Sequence, residues 1–206
     1  MKLTFAVGVC HEHRELDAVL SFLIGVRDPE DEINVLVDTT KMTKKVSGVL
    51  EKYPVATCFR SFDGDFAAHR NYHISQCTGD FIFMIDADEM PQEHLVRNIK
   101  KVLGDTGAEL VYVPRMNLCP GYTAEWAQGH KFTVNEVGWI NWPDQQGRIF
   151  KRVPERIKWD RSLHEKVTGS TKTIALPVDP KWGLWHIKTV HKQDAQGLYY
   201  DSLTTK

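Results

Sequence analysis

The 206-residue sequence lacks the features that mark several classes of protein. Lysine plus arginine (26 residues) nearly balance aspartate plus glutamate (27 residues), and the net charge of −1 gives no global argument for nucleic acid or an anionic membrane. No apolar run reaches the roughly 18 residues of a membrane-spanning helix, and the N-terminal apolar run is too short for a signal peptide. Partners must therefore be argued from local sites.

Cysteine is scarce, and its four positions include no CxxC pair. Cys10, Cys58, Cys77 and Cys119 each lie in or beside an apolar segment. This pattern predicts buried free thiols in a reducing compartment, rather than disulfides or a zinc site. We therefore expect a cytoplasmic protein.

Internal repeats and low-complexity tracts are also missing, and the first half of the chain alternates strand and helix patterns. Apolar strands are predicted at residues 3–9, 33–37, 55–59, 81–85 and 109–115. Helices are predicted at residues 14–26, 42–53, 66–77 and 92–103, with Gly79 capping the third and Pro91 starting the fourth. Near-continuous apolar strands between helices predict an α/β fold with a mostly parallel sheet covered on both faces.

The pattern changes after about residue 116. Gly, Trp, Pro and polar residues dominate 117–147, and strands become short, as at 147–152. We predict one domain over residues 1–206, in which residues 1–115 build the parallel sheet. Residues 116–206 would add antiparallel strands and loops over the functional edge of that sheet.

The stretch FIFMIDADEM (residues 81–90) carries the strongest chemical signal. Asp86, Asp88 and Glu89 directly follow a buried strand. Ligands of open parallel sheets collect at the carboxyl ends of strands, where Asp38 also lies. Acids spaced two apart suit Mg²⁺ or Mn²⁺, which also bridges phosphates. Glu89 is predicted to be only an acid in the first turn of the next helix.

Three enzyme classes place acids at such a strand end. They transfer a sugar from a nucleotide-sugar, transfer a nucleotide from a triphosphate, or use an aspartate as the nucleophile of a phosphatase. Met90 and the fourth-strand position disfavour the phosphatase. A nucleotidyltransferase needs a Gly-rich basic loop after the first strand, and CHEHREL (residues 10–16) contains no glycine.

Several ordered segments resemble family 2 glycosyltransferases of the GT-A fold. DFAAHRNYHISQCTGDFIFMIDADEMP (residues 65–91) is similar to the family's Ala-x-Arg-Asn helix, Thr-Gly-Asp turn and DxD strand. INVLVD (33–38), DQQGRIFKR (144–152) and LHEKVTG (163–169) resemble its second strand, its Arg-Leu-Phe-Arg-Arg strand and the His-Glu variant of its later acidic motif. The sequence departs from the family where Cys10-His11-Glu12-His13 replaces Pro-Thr-Tyr-Asn.

The resemblance implies a metal-dependent, inverting transfer of a sugar to an acceptor hydroxyl. The donor would be a nucleotide-diphospho-sugar, with UDP favoured over GDP, bound in residues 1–115. The acceptor, bound by residues 116–206, would be a glycan or glycoconjugate, with nucleic acid a weaker alternative. An acceptor in a membrane would make the protein peripheral there. A nucleotidyltransferase and an inactive sugar-nucleotide-binding domain stay open as alternatives.

The resemblance also implies roles for individual residues. The Mn²⁺ or Mg²⁺ ion would be held by Asp88, with Asp86 as a second ligand or ribose contact and His186 as a third ligand. Donor-binding residues would be Asp38, Arg70, Asp86, Cys10 and His11. The general base would be Glu165, with Asp144 as the alternative.

Two further groups of side chains have open roles. Trp126, Trp139 and Trp142, with Tyr122, either line an acceptor groove or pack a loop-rich region. The cationic run from Arg148 to Arg161 is either a solvated strand face or a surface for an anionic acceptor.

Overall fold

The computed structural model describes the backbone of residues 1–204 and the side chains of residues 1–200; residues 205 and 206 of the predicted domain lie outside the described residues. The strands are β1 (Leu3–Val9), β2 (Glu32–Asp38), β3 (Ala56–Arg60), β4 (Phe81–Asp86), β5 (Glu89–Pro91), β6 (Leu110–Val113), β7 (Arg115–Leu118), β8 (Gln146–Lys151), β9 (Lys158–Asp160), β10 (Lys166–Thr168), β11 (Thr173–Ala175) and β12 (Leu184–Ile187). The helices are α1 (His13–Val26), α2 (Lys44–Leu50), α3 (Phe66–Ser75), α4 (Glu93–Thr106), α5 (Ala124–Gly129) and α6 (Val190–Thr204), with a 3₁₀ turn at Pro180–Trp182.

The main sheet has the order β11-β6-β8-β4-β1-β2-β3 within the described chain. Strands β4, β1, β2 and β3 pair in parallel, whereas β8 runs antiparallel to both β4 and β6. The strand β4, which carries the acids, lies in the middle of the sheet. The predicted α/β fold with a mostly parallel sheet is confirmed.

Alternate residues of β4 enter two separate apolar cores, which explains why this strand is apolar without interruption. Phe83 and Ile85 pack in the core that contains the buried faces of α1 and α4. Ile82 and Met84 pack in the core that contains buried residues of α3. Full burial of each such side chain contributes roughly 1.5–3 kcal/mol, so both faces of β4 stabilise the fold.

The predicted fifth strand is wrong in its length, because it divides at Pro114. The segment before the proline is β6, in the main sheet, and the segment after it is β7, in a second sheet of order β5-β12-β7. Proline has no N–H for a ladder, and the Pro114 carbonyl accepts a hydrogen bond from Leu184 N at 2.9 Å. The chain therefore changes sheets at this residue.

Two predicted helix boundaries also differ from the structure. Helix α3 ends at Ser75 and is capped by Gln76 in a right-handed conformation, so Gly79 is not its cap. Gly79 instead lies against β1, where its N–H donates to Thr4 Oγ1 at 2.8 Å. Pro91 belongs to β5, and α4 begins at Glu93 after the cap residue Gln92.

We expect Gly79→Ala to lower the free energy of unfolding by about 1–3 kcal/mol, because a methyl group there overpacks a buried contact. A Cβ at residue 79 would lie 2.6 Å from the backbone N of Thr4. The measurement is urea unfolding of the purified protein. Gly104→Ala in α4 is the matched control, because a Cβ there meets no atom within 4 Å and should stabilise the helix. Equal stabilities for the two variants would contradict the proposed contact.

The cysteines and the helices of the described residues bear on two of the expectations from the sequence. All four cysteines are free, and Cys58, Cys77 and Cys119 are buried as predicted, whereas Cys10 is partly exposed. Among the helices within residues 1–204, none has the length and apolar character needed to cross a bilayer.

Candidate active site

A cleft of about 1000 Å³ lies at the carboxyl ends of β1, β2 and β4. The residues that line it include every site residue predicted from the sequence: Cys10, His11, Asp38, Arg70, Asp86, Asp88, Asp144, Glu165 and His186. These residues come from both halves of the chain. The fold therefore brings the predicted site together, although their individual roles follow only from the contacts that each one makes.

Asp86 is held by two guanidinium groups. Arg70 of α3 donates to both of its carboxylate oxygens, at 3.0 and 3.2 Å, and Arg148 of β8 donates to Oδ2 at 2.9 Å. Burial alone would raise the pKa of Asp86, but the charges of Arg70 and Arg148 outweigh burial and hold that pKa well below its usual range. With both oxygens engaged, Asp86 is less available to a metal ion than its sequence position implies.

Glu89 is not the helix-turn acid that the sequence predicts. It lies in β5 with 1% of its surface exposed, and its carboxylate accepts hydrogen bonds from Arg115 (2.9 Å) and Arg148. Its second oxygen accepts from the backbone N–H of Asp86 at 3.2 Å. Glu89 is therefore the buried anion that fixes the two arginines and the end of β4. Arg148, 4% exposed, is not a solvated cation, because its guanidinium group is paired with Glu89 and Asp86.

The Arg70-Asn71 pair on α3 positions Glu165. Asn71 exchanges two hydrogen bonds of 2.9 Å with the backbone of Trp159, which ties β9 to the helix. Arg70 Nε donates to Glu165 Oε1 at 2.8 Å. The preceding residue, His164, has a positive φ of 54°, a conformation that non-glycine residues rarely adopt. The chain thus uses a strained turn and an arginine to direct a carboxylate into the cleft.

Asp144 starts a chain of hydrogen bonds that ends at Asp88. Its Oδ2 accepts from Asn117 Nδ2 at 2.6 Å, and Asn117 Oδ1 contacts His186 Nδ1 at 2.7 Å. Because Asn117 donates through its nitrogen, its oxygen must accept the proton of His186 Nδ1. The Nε2 atom of His186 then faces Asp88 Oδ2 at 3.7 Å. The hydrogen bond to Asn117 thus fixes the orientation of the His186 ring, as such partners do for histidines that bind metals.

Both carboxylate oxygens of Asp144 accept hydrogen bonds within this network. Arg115 donates to its Oδ2 from two nitrogens, at 2.9 and 2.8 Å, and Gln146 donates to its Oδ1 at 2.8 Å. Burial would raise the pKa of Asp144, but Arg115 and the amide donors of Asn117 and Gln146 outweigh it and lower that pKa. Such a carboxylate is a weak proton acceptor.

Asp88 is surrounded by positive charge. The ammonium of Lys192 lies 3.1 Å and that of Lys188 lies 4.0 Å from its Oδ2, the same oxygen that faces His186. Burial would raise the pKa of Asp88, but His186 and then the two lysines outweigh it and lower that pKa. The carboxylate is thus ionised and points at groups that bind anions.

A divalent cation fits the donor set of Asp88 and His186. Among residues 1–200, no group of three or more acidic, His or Cys side chains forms a complete metal site. Mg²⁺ and Mn²⁺ at phosphate sites, however, are commonly held by one or two protein ligands together with substrate oxygens. His186 Nε2 and Asp88 Oδ2, which lie 3.7 Å apart, are two groups of the kind that could serve as such ligands.

The cleft is also lined by the predicted donor-binding residues at the carboxyl ends of β1 and β2. Asp38 Oδ1 accepts from the backbone N–H groups of Thr40 (2.9 Å) and Phe62 (3.1 Å), so it orders the turn after β2. Burial, followed by the charges of Asp38 and Glu12, raises the pKa of the Cys10 thiol to about 12, so the protonated thiol is favoured near neutral pH. His11 is exposed at the rim.

Sequence reasoning missed the residues that contact the predicted acids from far along the chain. They are Arg115, Asn117, Lys188 and Lys192. His69, which lines the cleft and whose buried Nδ1 has no hydrogen-bond partner among the described residues, was also missed. Arg148 had a detectable signal, because alternation along β8 places it on the same face as the buried Phe150. For the other missed residues, the local sequence pattern does not indicate a place in the site.

The predicted tryptophan groove divides into two groups. Trp126 lines the cleft, and its Nε1 donates to Asp194 of α6 at 2.9 Å. Trp139 packs instead against Trp142 and Trp185, with ring centroids 4.9 and 5.8 Å away. Of the four aromatic residues for which an acceptor groove and packing were both open, only Trp126 is among those that line this cleft.

Solved structures with a similar fold include TarS of S. aureus. It has a TM-score of 0.63 and 13% sequence identity, covering 91% of this chain and 37% of TarS. The alignment with TarS 1–349 in complex with UDP-GlcNAc (TM-score 0.62, 13% identity) covers 91% of this chain and 59% of the TarS chain. TarS 1–349 in complex with UDP (0.60, 13%) covers 92% and 61%. The present chain spans less than two thirds of the length of each.

At these identities the likeness shows the fold alone. No curated protein sequence matches the chain significantly. The family model described as glycosyl transferase family 2 matches residues 6–167, which is most of the chain. The protein therefore belongs to glycosyl transferase family 2.

Proposed function

We propose that the protein transfers a sugar from a nucleotide-diphospho-sugar to an acceptor hydroxyl, with inversion at the anomeric carbon. The observation that carries this proposal is that one cleft holds both an ionised acid among cations (Asp88) and a separately oriented carboxylate (Glu165). The first group suits a leaving diphosphate and the second suits a proton acceptor. Family membership and a TarS fold solved with UDP-GlcNAc support a nucleotide-sugar donor.

In the proposed reaction, the oxygen of the acceptor attacks the anomeric carbon from the face opposite the diphosphate. The new carbon–oxygen bond forms as the bond between the anomeric carbon and the diphosphate oxygen breaks. The hydroxyl proton passes to the Glu165 carboxylate, and the nucleoside diphosphate leaves with the bonding electrons. Arg70 holds Glu165 in place through Oε1 during this step.

Glu165 is favoured over Asp144 as the base because of their contacts. Asp144 receives four donated hydrogen bonds from Arg115, Asn117 and Gln146, which stabilise its ionised form. Its role in this proposal is to orient Asn117 and, through it, His186. Glu165 is anchored through one oxygen by Arg70 and lines the cleft with 15% of its side chain exposed.

The charged groups around Asp88 suit the binding of a diphosphate. Asp88 and His186 would hold Mn²⁺ or Mg²⁺, which when bound would neutralise charge on the departing diphosphate. The ammonium groups of Lys188 and Lys192 add two positive charges beside these residues. We assign binding of the nucleoside to Asp38, Cys10, His11 and His69, and binding of the acceptor, a glycan or glycoconjugate, to Glu165 and Trp126, all of which line the cleft.

Thermal unfolding with UDP-, GDP-, CMP- and dTDP-sugars, each with and without Mn²⁺, tests the proposal. We expect one nucleotide-sugar to raise the melting temperature, because a ligand that binds only the folded state stabilises it. The expected favourite is a UDP-sugar, with GDP-sugars as the alternative. Stabilisation by nucleoside triphosphates alone would instead support a nucleotidyltransferase, and binding without any turnover would support an inactive binding domain.

A further inference from the structure

The helix α6 brings a lysine into direct contact with the predicted metal ligand. Lys192 Nζ lies 3.1 Å from Asp88 Oδ2 and 3.7 Å from Glu12 Oε1, so it bridges two carboxylates of the cleft. Its side chain is about one-third exposed (34%) and lines the cleft. The contact joins residues 104 positions apart in the sequence, across the end of β4.

The neighbouring lysine has a different environment. Lys188 is buried (9% exposed), and its ammonium donates to Gln196 Oε1 at 2.7 Å while staying 4.0 Å from Asp88. A lysine held by a neutral amide inside the protein is a fixed charge. Both lysines line the cleft, but Lys192 is closer to Asp88 Oδ2 (3.1 Å) and more exposed.

Lys192 and a metal ion would occupy the same position beside Asp88 Oδ2, so only one of them can be there at a time. A divalent cation that binds Asp88 Oδ2 beside His186 must take the place of the ammonium, because two cations within about 4 Å of each other repel strongly. A diphosphate in the cleft changes this balance, since its oxygens accept charge-assisted hydrogen bonds from an ammonium. Lys192 can then leave Asp88 for the phosphate oxygens.

We propose that Lys192 binds the diphosphate of the donor and competes with the metal ion for Asp88, so that donor and metal bind cooperatively. The competition means that the metal binds weakly by itself and more tightly together with the donor. Thermodynamic linkage requires the reverse as well, so the donor binds more tightly with the metal by the same factor. This inference rests on the proposed function, because it takes a nucleotide diphosphate as the ligand of the cleft.

Lys192→Met separates this role from a structural one, because it moves two affinities in opposite directions. Loss of the competing ammonium should strengthen binding of Mn²⁺ alone by about 5- to 10-fold. Loss of a phosphate contact should weaken binding of UDP or GDP, measured in EDTA, by about 10-fold or more. Isothermal titration calorimetry gives both affinities, and thermal unfolding verifies that the variant is folded. Lys192→Gln replaces Lys192→Met if the latter does not fold.

Two further variants serve as controls. Lys192→Arg keeps the charge and should retain most of the nucleotide affinity of the wild type. Lys181→Met removes an exposed lysine that pairs with Asp179, outside the cleft, and should change neither affinity. Unchanged Mn²⁺ affinity in Lys192→Met, or a loss of both affinities together, would overturn the inference while UDP or GDP binding by the wild type still supports the proposed function. A wild type that binds none of UDP, GDP and dTDP, even with Mn²⁺, contradicts the proposed function itself.

Discussion

Replacing Glu165 by Gln should reduce turnover by about 100-fold or more, which is the usual contribution of a positioned general base. The amide oxygen of Gln can still accept the hydrogen bond that Arg70 Nε now donates to Glu165 Oε1 at 2.8 Å. The substitution therefore removes the proton acceptor and leaves the geometry of the cleft. The measurement is the initial rate of nucleoside diphosphate release at saturating donor, with the donor identified by thermal unfolding. Nucleotide affinity should not change.

The control for this variant is Asp160→Asn, which neutralises an exposed carboxylate on β9, five residues away from Glu165. It should have wild-type turnover. If Glu165→Gln also turns over normally, the base must be sought elsewhere, with Asp144 the first candidate. Asp144→Asn alone does not decide between them, because the change also disturbs Asn117 and hence the orientation of His186.

The candidate site could be located from the sequence, because a local run of apolar residues marks each strand and the residues at its carboxyl end can be read directly. Apolar runs gave β1, β2 and β4, and the carboxyl ends of β2 and β4 put Asp38 and Asp86 at one edge. The motif residues have physical reasons as well. The Thr-Gly-Asp turn joins the starts of two strands: Thr78 N–H donates to Glu32 Oε2 at 2.7 Å, and Asp80 Oδ2 accepts from Lys2 N–H at 2.8 Å.

Pairings that depend on how distant segments meet could not be predicted. Glu89 is separated from Arg115 by 26 residues and from Arg148 by 59, and nothing local indicates that β7 and β8 would bring both guanidinium groups to it. The same holds for Lys192, which reaches Asp88 only because α6 returns across the cleft. Local charge pattern therefore assigned Glu89 to a helix turn and Arg148 to a surface.

Replacing Arg148 by Met should destabilise the protein by about 3–5 kcal/mol, because it removes one partner of a buried ionic cluster. Arg148 and Glu89 are 4% and 1% exposed, and the same guanidinium nitrogen also binds Asp86. Methionine fills much of the volume but leaves Glu89 and Asp86 with one arginine each, Arg115 and Arg70. Urea unfolding at neutral pH measures the loss. Lys151→Met, an exposed lysine on the same strand, should change stability by no more than about 0.5 kcal/mol.

The difference in unfolding free energy between the wild type and Arg148→Met should depend on pH, and that dependence measures its electrostatic part. The pKa of Asp86 is lowered in the folded protein, so the stability that its ionised form contributes is present above its unfolded pKa, about 3.9, and is lost as pH falls towards the folded value. Arg148→Met weakens that contribution. The difference in unfolding free energy between wild type and variant should therefore be largest near neutral pH and shrink below about pH 4. A difference that stays constant down to pH 3 would assign the loss to packing of the methionine, and the charge cluster would not be its cause.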